Sequence, residues 1–534
     1  MGAREMVLDA GMFRHHIDFF NAVDSEPIRN AVTNAKCWEW MCENIPWFEC
    51  PDRDIEQVYY YRWWVLRKHL RRTPSGFVIT EFLPDVKHAR RHNTIVCAAG
   101  LHIEEARWLR DRRYASDYIR SWFSPDGEPR VYSTWLAHAL HAYCCATDEW
   151  ALAETLLGRL VENYRSWEES HQHRSGLFWS CDDRDGGECS ISGDGLRPTL
   201  NCYMYGDAAA IAALASRVNQ HGLAQEFAEK AMRLRQLVQA RLWDPASEFF
   251  KVLPLDSRED PIDSWEFSTV PAERDVRELY GYLPWKFALP EPGYERAWLQ
   301  LLDEQGFAAP HGPTTAEQRH PRFMKYRIKR CQWDGPSWPF TTSLTIGALA
   351  RLLREYKQDV IGRQSFLDLL KTYARSQHRI LPYGEEIPWI GENLHPHSGI
   401  WLARAIALEG KCRTVQDMND AVVRGKDYNH SSYCDLVISG LVGLELRDDG
   451  GVVIDPLIPK GTWDWFCLDG IRHGNKNLTI LYDKTGERYQ LGQGLRVLAD
   501  GVEIGSSRSL SALSGTLQQL VKQDPAADGD IPRL

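Results

Sequence analysis

The sequence predicts a mainly α protein: an (α/α) toroid over residues 1–445, a small β-sandwich-like domain over 446–505, and a partly disordered tail over 506–534. Three observations in the 534 residues predict it. Apolar residues recur at spacings of three and four in successive pairs of segments. The pairs share no short repeat, which favours a closed toroid over a solenoid. Near residue 446 the period changes from helical to alternating.

The first clear pair runs through Trp135, Leu136, Leu140 and Tyr143, then Leu152, Leu156, Leu160 and Tyr164. In the next, Asp207 reads as an N-cap before Ile211, Leu214 and Val218, Gly222 as the C-cap, and the pattern resumes at Phe227, Ala231 and Leu234. A third uses Leu344, Leu349 and Leu352, then Phe366, Leu370 and Tyr373. Further helices are predicted after Gly399 and Ser432. Alternation at Leu478, Ile480 and Tyr482, and Asp500-Gly501 between two apolar runs, read as strands and a hairpin turn.

Composition narrows the class. With 43% hydrophobic and 25% charged residues the chain can bury a large core. A net charge of -10 argues against nucleic acid or an anionic membrane as partner. Tryptophan, at 21 copies, equals Tyr and exceeds Phe at 18, which suits either a wide core or a groove that stacks on sugar rings. The 13 cysteines are odd in number, with no C-x-x-C, and neither an apolar signal core nor a spanning apolar run is present. A reducing, cytoplasmic location is therefore expected.

Two loops place carboxylates among glycines immediately before a helix: D-D-R-D-G-G-E-C-S-I-S-G-D-G-L-R-P at 182 to 198, and E-E-I-P-W-I-G-E-N-L-H-P-H-S-G at 385 to 399. Glycoside hydrolysis needs one carboxyl held protonated and a second that activates water or attacks carbon. Each acid here can equally serve as a cap, turn residue or ion-pair partner. A third loop, C-Q-W-D-G-P-S-W-P-F-T-T-S at 331 to 343, offers either a stacking wall for a sugar or a buried aromatic turn. All three precede helices, so their side chains should open on one face; this groups Trp333, Trp338, Arg197, Tyr205, His395 and Tyr428 around a single groove.

E-N-L-H-P-H-S-G resembles the E-N-x-x-P-x-x-G loop of glycoside hydrolase family 63, and W-D-G-P-S-W-P-F resembles its W-x-G-P-x-W segment. Y-Y-Y-R-W-W at 59 to 64, E-F-L-P at 81 to 84, R-P-T-L-N-C-Y-M-Y-G-D at 197 to 207 and H-S-S-Y-C-D-L at 430 to 436 resemble runs in its mannosylglycerate-hydrolase-like (MGH1-like) group. The resemblance covers nearly the whole chain. It implies an (α/α)6 barrel and inverting, exo-acting hydrolysis of an α-linked glycoside, with Glu188 as general acid and Glu392 as general base. It also adds Glu81, Glu278 and Trp285 to the groove wall. Two departures stand out: Glu occupies 188 where the family has Asp, and Arg197 lies nine residues beyond the acid rather than close after it.

Other clusters have plainer expectations. Glu104, Glu105 and Arg107 could line the groove, but their helical spacing favours an intrahelical salt-bridge set; His102 reads either way. Arg322, Lys325, Arg327, Lys329 and Arg330 read as a solvated basic face. His171-Gln-His173 lacks partners at metal spacing, so no metal is expected there, while loop carboxylates leave a structural calcium open; no cofactor is expected. Rival functions are a glycan phosphorylase holding phosphate on the basic run, a lyase using Tyr205 or His430, and a non-catalytic sugar-binding protein. The expected partner is a carbohydrate; the oligomeric state is not legible in the sequence.

Overall fold

In the computed structural model the described residues are 6–326, 331–381, 383–409 and 425–522. Helices dominate to about residue 442, and antiparallel sheets follow. The helices fall into two kinds by burial. Pro198–Arg217 buries residues all round, from Pro198 to Ala215, as an interior helix must. Its pair, His221–Arg241, buries only Phe227, Ala231, Leu234 and Val238, the single stripe of a helix with one face to solvent. Arg53–Lys68, with Tyr59, Tyr60, Tyr61, Trp63 and Trp64 all buried, is another interior helix. Pro339–Glu355 and Arg363–Ser376 repeat the pairing.

The second pair starts earlier than its apolar spacing suggests. Pro198 sits in the first turn, where its missing N–H costs nothing. Asp207 therefore lies mid-helix, and its carboxylate accepts the backbone N–H of His138 at 2.9 Å, near the start of helix Leu136–Thr147. Gly222 lies in the first turn of the next helix rather than at a C-cap. After Ser432 the helix is a short π-helical stretch, Leu436–Val442.

The main β-sheet has five antiparallel strands in the order Trp47–Glu49, Trp465–His473, Lys476–Asp483, Gly494–Ala499 and Val502–Ser507. Its first strand comes from between two early helices. Asp500 and Gly501 both take positive φ (50° and 77°), the twist that a two-residue hairpin requires. A second sheet pairs Leu444–Leu446, Gly451–Ile454, Leu513–Thr516 and Gln519–Lys522. The stretch expected to begin the tail at 506 thus supplies the end of one strand and a complete hairpin: buried Leu513 and Leu520 give it an apolar face despite its Ser and Gly content. The rest of the expected tail, from Gln523, lies outside the described residues.

Candidate active site

Glu188 sits on a loop clamped from beneath. Asp185 is fully buried and accepts from the Ser133 and Thr199 hydroxyls and from Arg197 Nε at 2.8 Å. The same guanidinium donates to the Gly193 carbonyl at 2.5 Å and the Ser190 hydroxyl at 3.2 Å. Glu278 accepts both the backbone N–H and the hydroxyl of Ser192, at 3.1 and 2.6 Å. A Cβ at Gly187 would stand 2.9 Å from Arg197 Nη2, so glycine is what lets the loop lie on the guanidinium. Above this clamp, Glu188 Oε2 accepts from the Cys331 thiol at 3.0 Å and from the Trp333 indole N–H at 3.1 Å. Burial pushes the Glu188 carboxyl up to about 7 against the pull of these donors.

The aromatic wall comes from 331–338. Trp333 is stacked between Trp338, with ring centroids 4.2 Å apart and planes at 10°, and Tyr280 at 5.4 Å. Trp338 donates its indole N–H to the Gln332 carbonyl at 2.8 Å. Gly335 takes φ 148°, and a Cβ there would meet Phe323 at 2.6 Å. Ser337 and Leu394 exchange backbone hydrogen bonds of 3.0 and 2.9 Å, joining this wall to the Glu392 loop. Asn393 accepts the N–H of Ala403 at 3.0 Å and so caps helix Leu402–Glu409 while Glu392 beside it is buried.

A third carboxyl completes the cluster. Glu81 is buried, accepts the Tyr428 hydroxyl on Oε1, and has no hydrogen-bond partner on Oε2 among the described residues. Burial first, then the charges of Glu392 and Glu188, push it up to about 8. Both glutamates also act electrostatically on the Cys331 thiol, which burial holds well above its ordinary range. Glu81 is thus within electrostatic reach of Glu188 and Glu392, as is Cys331; Glu188 contacts Trp333 and Cys331, and Glu81 contacts Tyr428. His430 lies against this wall, its ring 3.9 Å from Tyr428 and 5.7 Å from Trp338, with both nitrogens buried and unpartnered among the described residues. Glu188 also faces an open cleft of about 360 Å³ lined by Asp182, Asp183, Ser190, Arg274 and Arg322, within the size of small-ligand sites.

Of the residues grouped by sequence, Trp333, Tyr428 and Glu81 join the two glutamates. Trp338 lies one ring behind. Arg197 and Glu278 are clamps of the Glu188 loop. His395 accepts the N–H groups of His397 and Ser398 on Nδ1 and so closes its own turn. Tyr205 lies two turns down the 198–217 helix, where Arg235 donates to its hydroxyl at 2.6 Å, and Trp285 is fully buried against Phe250 and Trp298. Neither has a partner in the cluster; preceding a helix aligns a loop with the open face, but a side chain inside a helix follows that helix's own packing. Glu104, Glu105 and Arg107 are not an intrahelical set. Glu104 pairs with Lys286 at 2.9 Å, Arg107 with Asp435 at 2.6 Å, and Glu105 accepts the N–H groups of Tyr433, Cys434 and Asp435 before the π-helical stretch. Their partners lie far away in sequence. Arg322 lines the cleft, Lys325 is exposed, and Arg327, Lys329 and Arg330 lie outside the described residues. Cys331 and Tyr280 were missed; Cys331 opens the tryptophan segment, but only contact with Glu188 distinguishes it from the other cysteines. No group of three or more His, Cys, Asp or Glu suited to a metal occurs among the described residues, and no helix among them is long and apolar enough to cross a membrane.

Comparison with known proteins gives two family matches. The mannosylglycerate hydrolase MGH1-like glycoside hydrolase domain matches residues 91–431, and the glycosyl hydrolase family 65 C-terminal domain matches 444–505. A solved structure named Sialidase aligns over 95% of this chain at 39% identity and a TM-score of 0.86; this chain spans 44% of that protein's length. The GH78 family rhamnosidase of Bacillus sp. GL1 aligns over 85% of this chain and 41% of its own, at 12% identity and TM-score 0.50. At that identity the likeness shows the fold alone.

Proposed function

The chain belongs to the mannosylglycerate hydrolase MGH1-like glycoside hydrolase family and is a glycosidase, and from that premise we propose that it is an inverting, exo-acting enzyme on an α-linked glycoside, with Glu188 as general acid and Glu392 as general base. The observation that carries the reading is the setting of Glu188. A carboxyl pushed up to about 7 by burial still holds its proton below neutrality, and it shares one cluster with a second glutamate. Glu188 donates its proton to the glycosidic oxygen as the bond to the anomeric carbon breaks. Glu392 takes a proton from the water that attacks the opposite face of the sugar. The leaving alcohol thus gains one proton, and the sugar gains hydroxide from water. Inversion requires room for that water, so the two carboxyls are expected about 6.5–9.5 Å apart.

Trp333 and Tyr428 would border the sugar, and Glu81, neutral below about pH 8, would donate to one of its hydroxyls. We read the helical part, 1–445, as an (α/α)6 barrel and the β part from 446 as a separate domain. The test is Glu392→Gln. Turnover should fall about 10²–10⁴-fold with the fold intact, as loss of a positioned base implies. NMR of the first product from the wild-type protein should show the inverted anomer; a retained anomer, or near-normal turnover by the variant, refutes the assignment.

A further inference from the structure

Cys331 and Trp333 stand two residues apart, and both donate to the same oxygen, Oε2 of Glu188, at 3.0 and 3.1 Å. A protonated carboxyl carries its hydrogen on one oxygen only. With Oε2 occupied by two donors, a third hydrogen placed there would face both of them. We propose that Cys331 is a positioning residue for proton transfer: together with Trp333 it confines the transferable proton of Glu188 to Oε1 and stabilises the negative charge left when that proton departs.

This deepens the proposed mechanism and rests on the reading of Glu188 as the acid. As the glycosidic bond breaks, the Oε1 proton moves to the leaving oxygen and Glu188 becomes a carboxylate. The S–H and N–H bonds to Oε2 then become charge-assisted and strengthen. A donor aimed at charge that appears only as the reaction proceeds favours the transition state over the ground state. The thiol is suited to donate because it stays protonated: burial, and the charges of Glu188 and Glu392, hold it well above its ordinary range. The same argues against a thiolate nucleophile. The aromatic stack that fixes Trp333 leaves the indole little freedom, so the thiol is the donor whose removal least disturbs the wall.

Removing the thiol also moves the titration of Glu188. Hydrogen bonds to the charged form favour ionisation, so their loss lets burial raise the carboxyl further. The other groups acting on or facing Glu188 are Asp182, Asp183 and Cys189 from its own loop, Glu81, Cys97 and Tyr132 from neighbouring segments, Glu392 in the same cluster, and Arg274, Arg322 and Tyr326 around the cleft. None is altered by a change at 331.

The experiment compares wild type, Cys331→Ala, Cys331→Ser and Glu188→Gln on two glycosides of the sugar that the wild-type protein hydrolyses. One is a disaccharide, whose leaving group needs a proton; the other is a 2,4-dinitrophenyl glycoside, whose leaving group does not. Cys331→Ala should lose about tenfold in kcat/KM on the disaccharide, the value of one hydrogen bond to a charged group. It should lose little on the dinitrophenyl glycoside, and the alkaline limb of its pH profile should move to higher pH. Cys331→Ser, which restores a donor, should recover both. Because stability falls as pH rises, the limb is read over the range in which circular dichroism shows each variant to be folded, and there its position does not depend on the amount of active protein. If Glu188→Gln loses equally on both glycosides, the reading of Glu188 as acid fails. If Glu188→Gln loses selectively but Cys331→Ala leaves the limb unmoved, only the role of Cys331 fails. A sugar adduct on Cys331 in intact-mass spectra replaces positioning by a nucleophilic role, and failure of serine to rescue overturns hydrogen-bond donation at 331.

Discussion

Replacing Glu81 by Gln should shift stability in the variant's favour relative to wild type by an amount that grows with pH. In the unfolded chain this carboxyl titrates at its ordinary 4.5; in the folded chain burial and two neighbouring glutamates raise it to about 8. Between those values the folded state keeps a proton that the unfolded state has released, so stability falls as pH rises, by about 1.4 kcal/mol per unit. The penalty is absent below pH 4.5, is about 3 kcal/mol at pH 7, and levels off near 5 kcal/mol above pH 8. Gln has no such titration. Its carbonyl still accepts the Tyr428 hydroxyl, and its amide nitrogen takes the place of Oε2, which has no partner among the described residues. Any cost of burying that nitrogen is the same at every pH and drops out of the comparison. Urea unfolding of both proteins at pH 5 and pH 8 isolates the titrating part. The advantage of the variant over wild type should increase by several kcal/mol between the two; an advantage that is equal at both pH values refutes the reasoning. Turnover should meanwhile fall, because the site holds this carboxyl at the expense of stability.

Two corrections to the sequence reading have tests of their own. Arg197→Met leaves Asp185 buried without its cation and should cost about 3–5 kcal/mol at pH 7.5, less at pH 5, where Asp185, raised to about 6, can protonate; a loss under about 1 kcal/mol in urea unfolding would count against the clamp. Tyr205→Phe removes one of two acceptors of Arg235, the other being the Ala288 carbonyl, and should cost about 1 kcal/mol with kcat and KM unchanged; a raised KM would return Tyr205 to the groove.

Part of the candidate site was legible as loops that carry carboxylates or tryptophans among glycines just before a helix. The E-N-L-H-P and W-D-G-P loops stand out by their resemblance to family motifs; in the structure Asn393 caps the helix that follows, and the chain turns tightly at Gly335 beside the tryptophans. The helix pairs follow from apolar spacing, which records the burial of a face whatever that face packs against. The small β-hairpin at 513–522 was hidden because its two apolar anchors are outnumbered by Ser and Gly.

What the sequence determined by itself was the predominance of helices, the change to strands after them and the loops that carry the two glutamates, since helix and strand periods are properties of neighbouring residues. Which side chains meet was decided only in three dimensions. Asp207 reads locally as a cap and caps a different helix. Arg197 reads as a ligand and holds a loop. Glu81 becomes a neutral acid because the fold buries it near Glu392 and Glu188, against the pull of the Tyr428 hydroxyl, 347 residues away in the chain, which donates to it. Spacing along a chain sets the direction of a side chain within its element, whereas burial and charge, which set its chemistry, depend on whatever distant segments the fold brings against it.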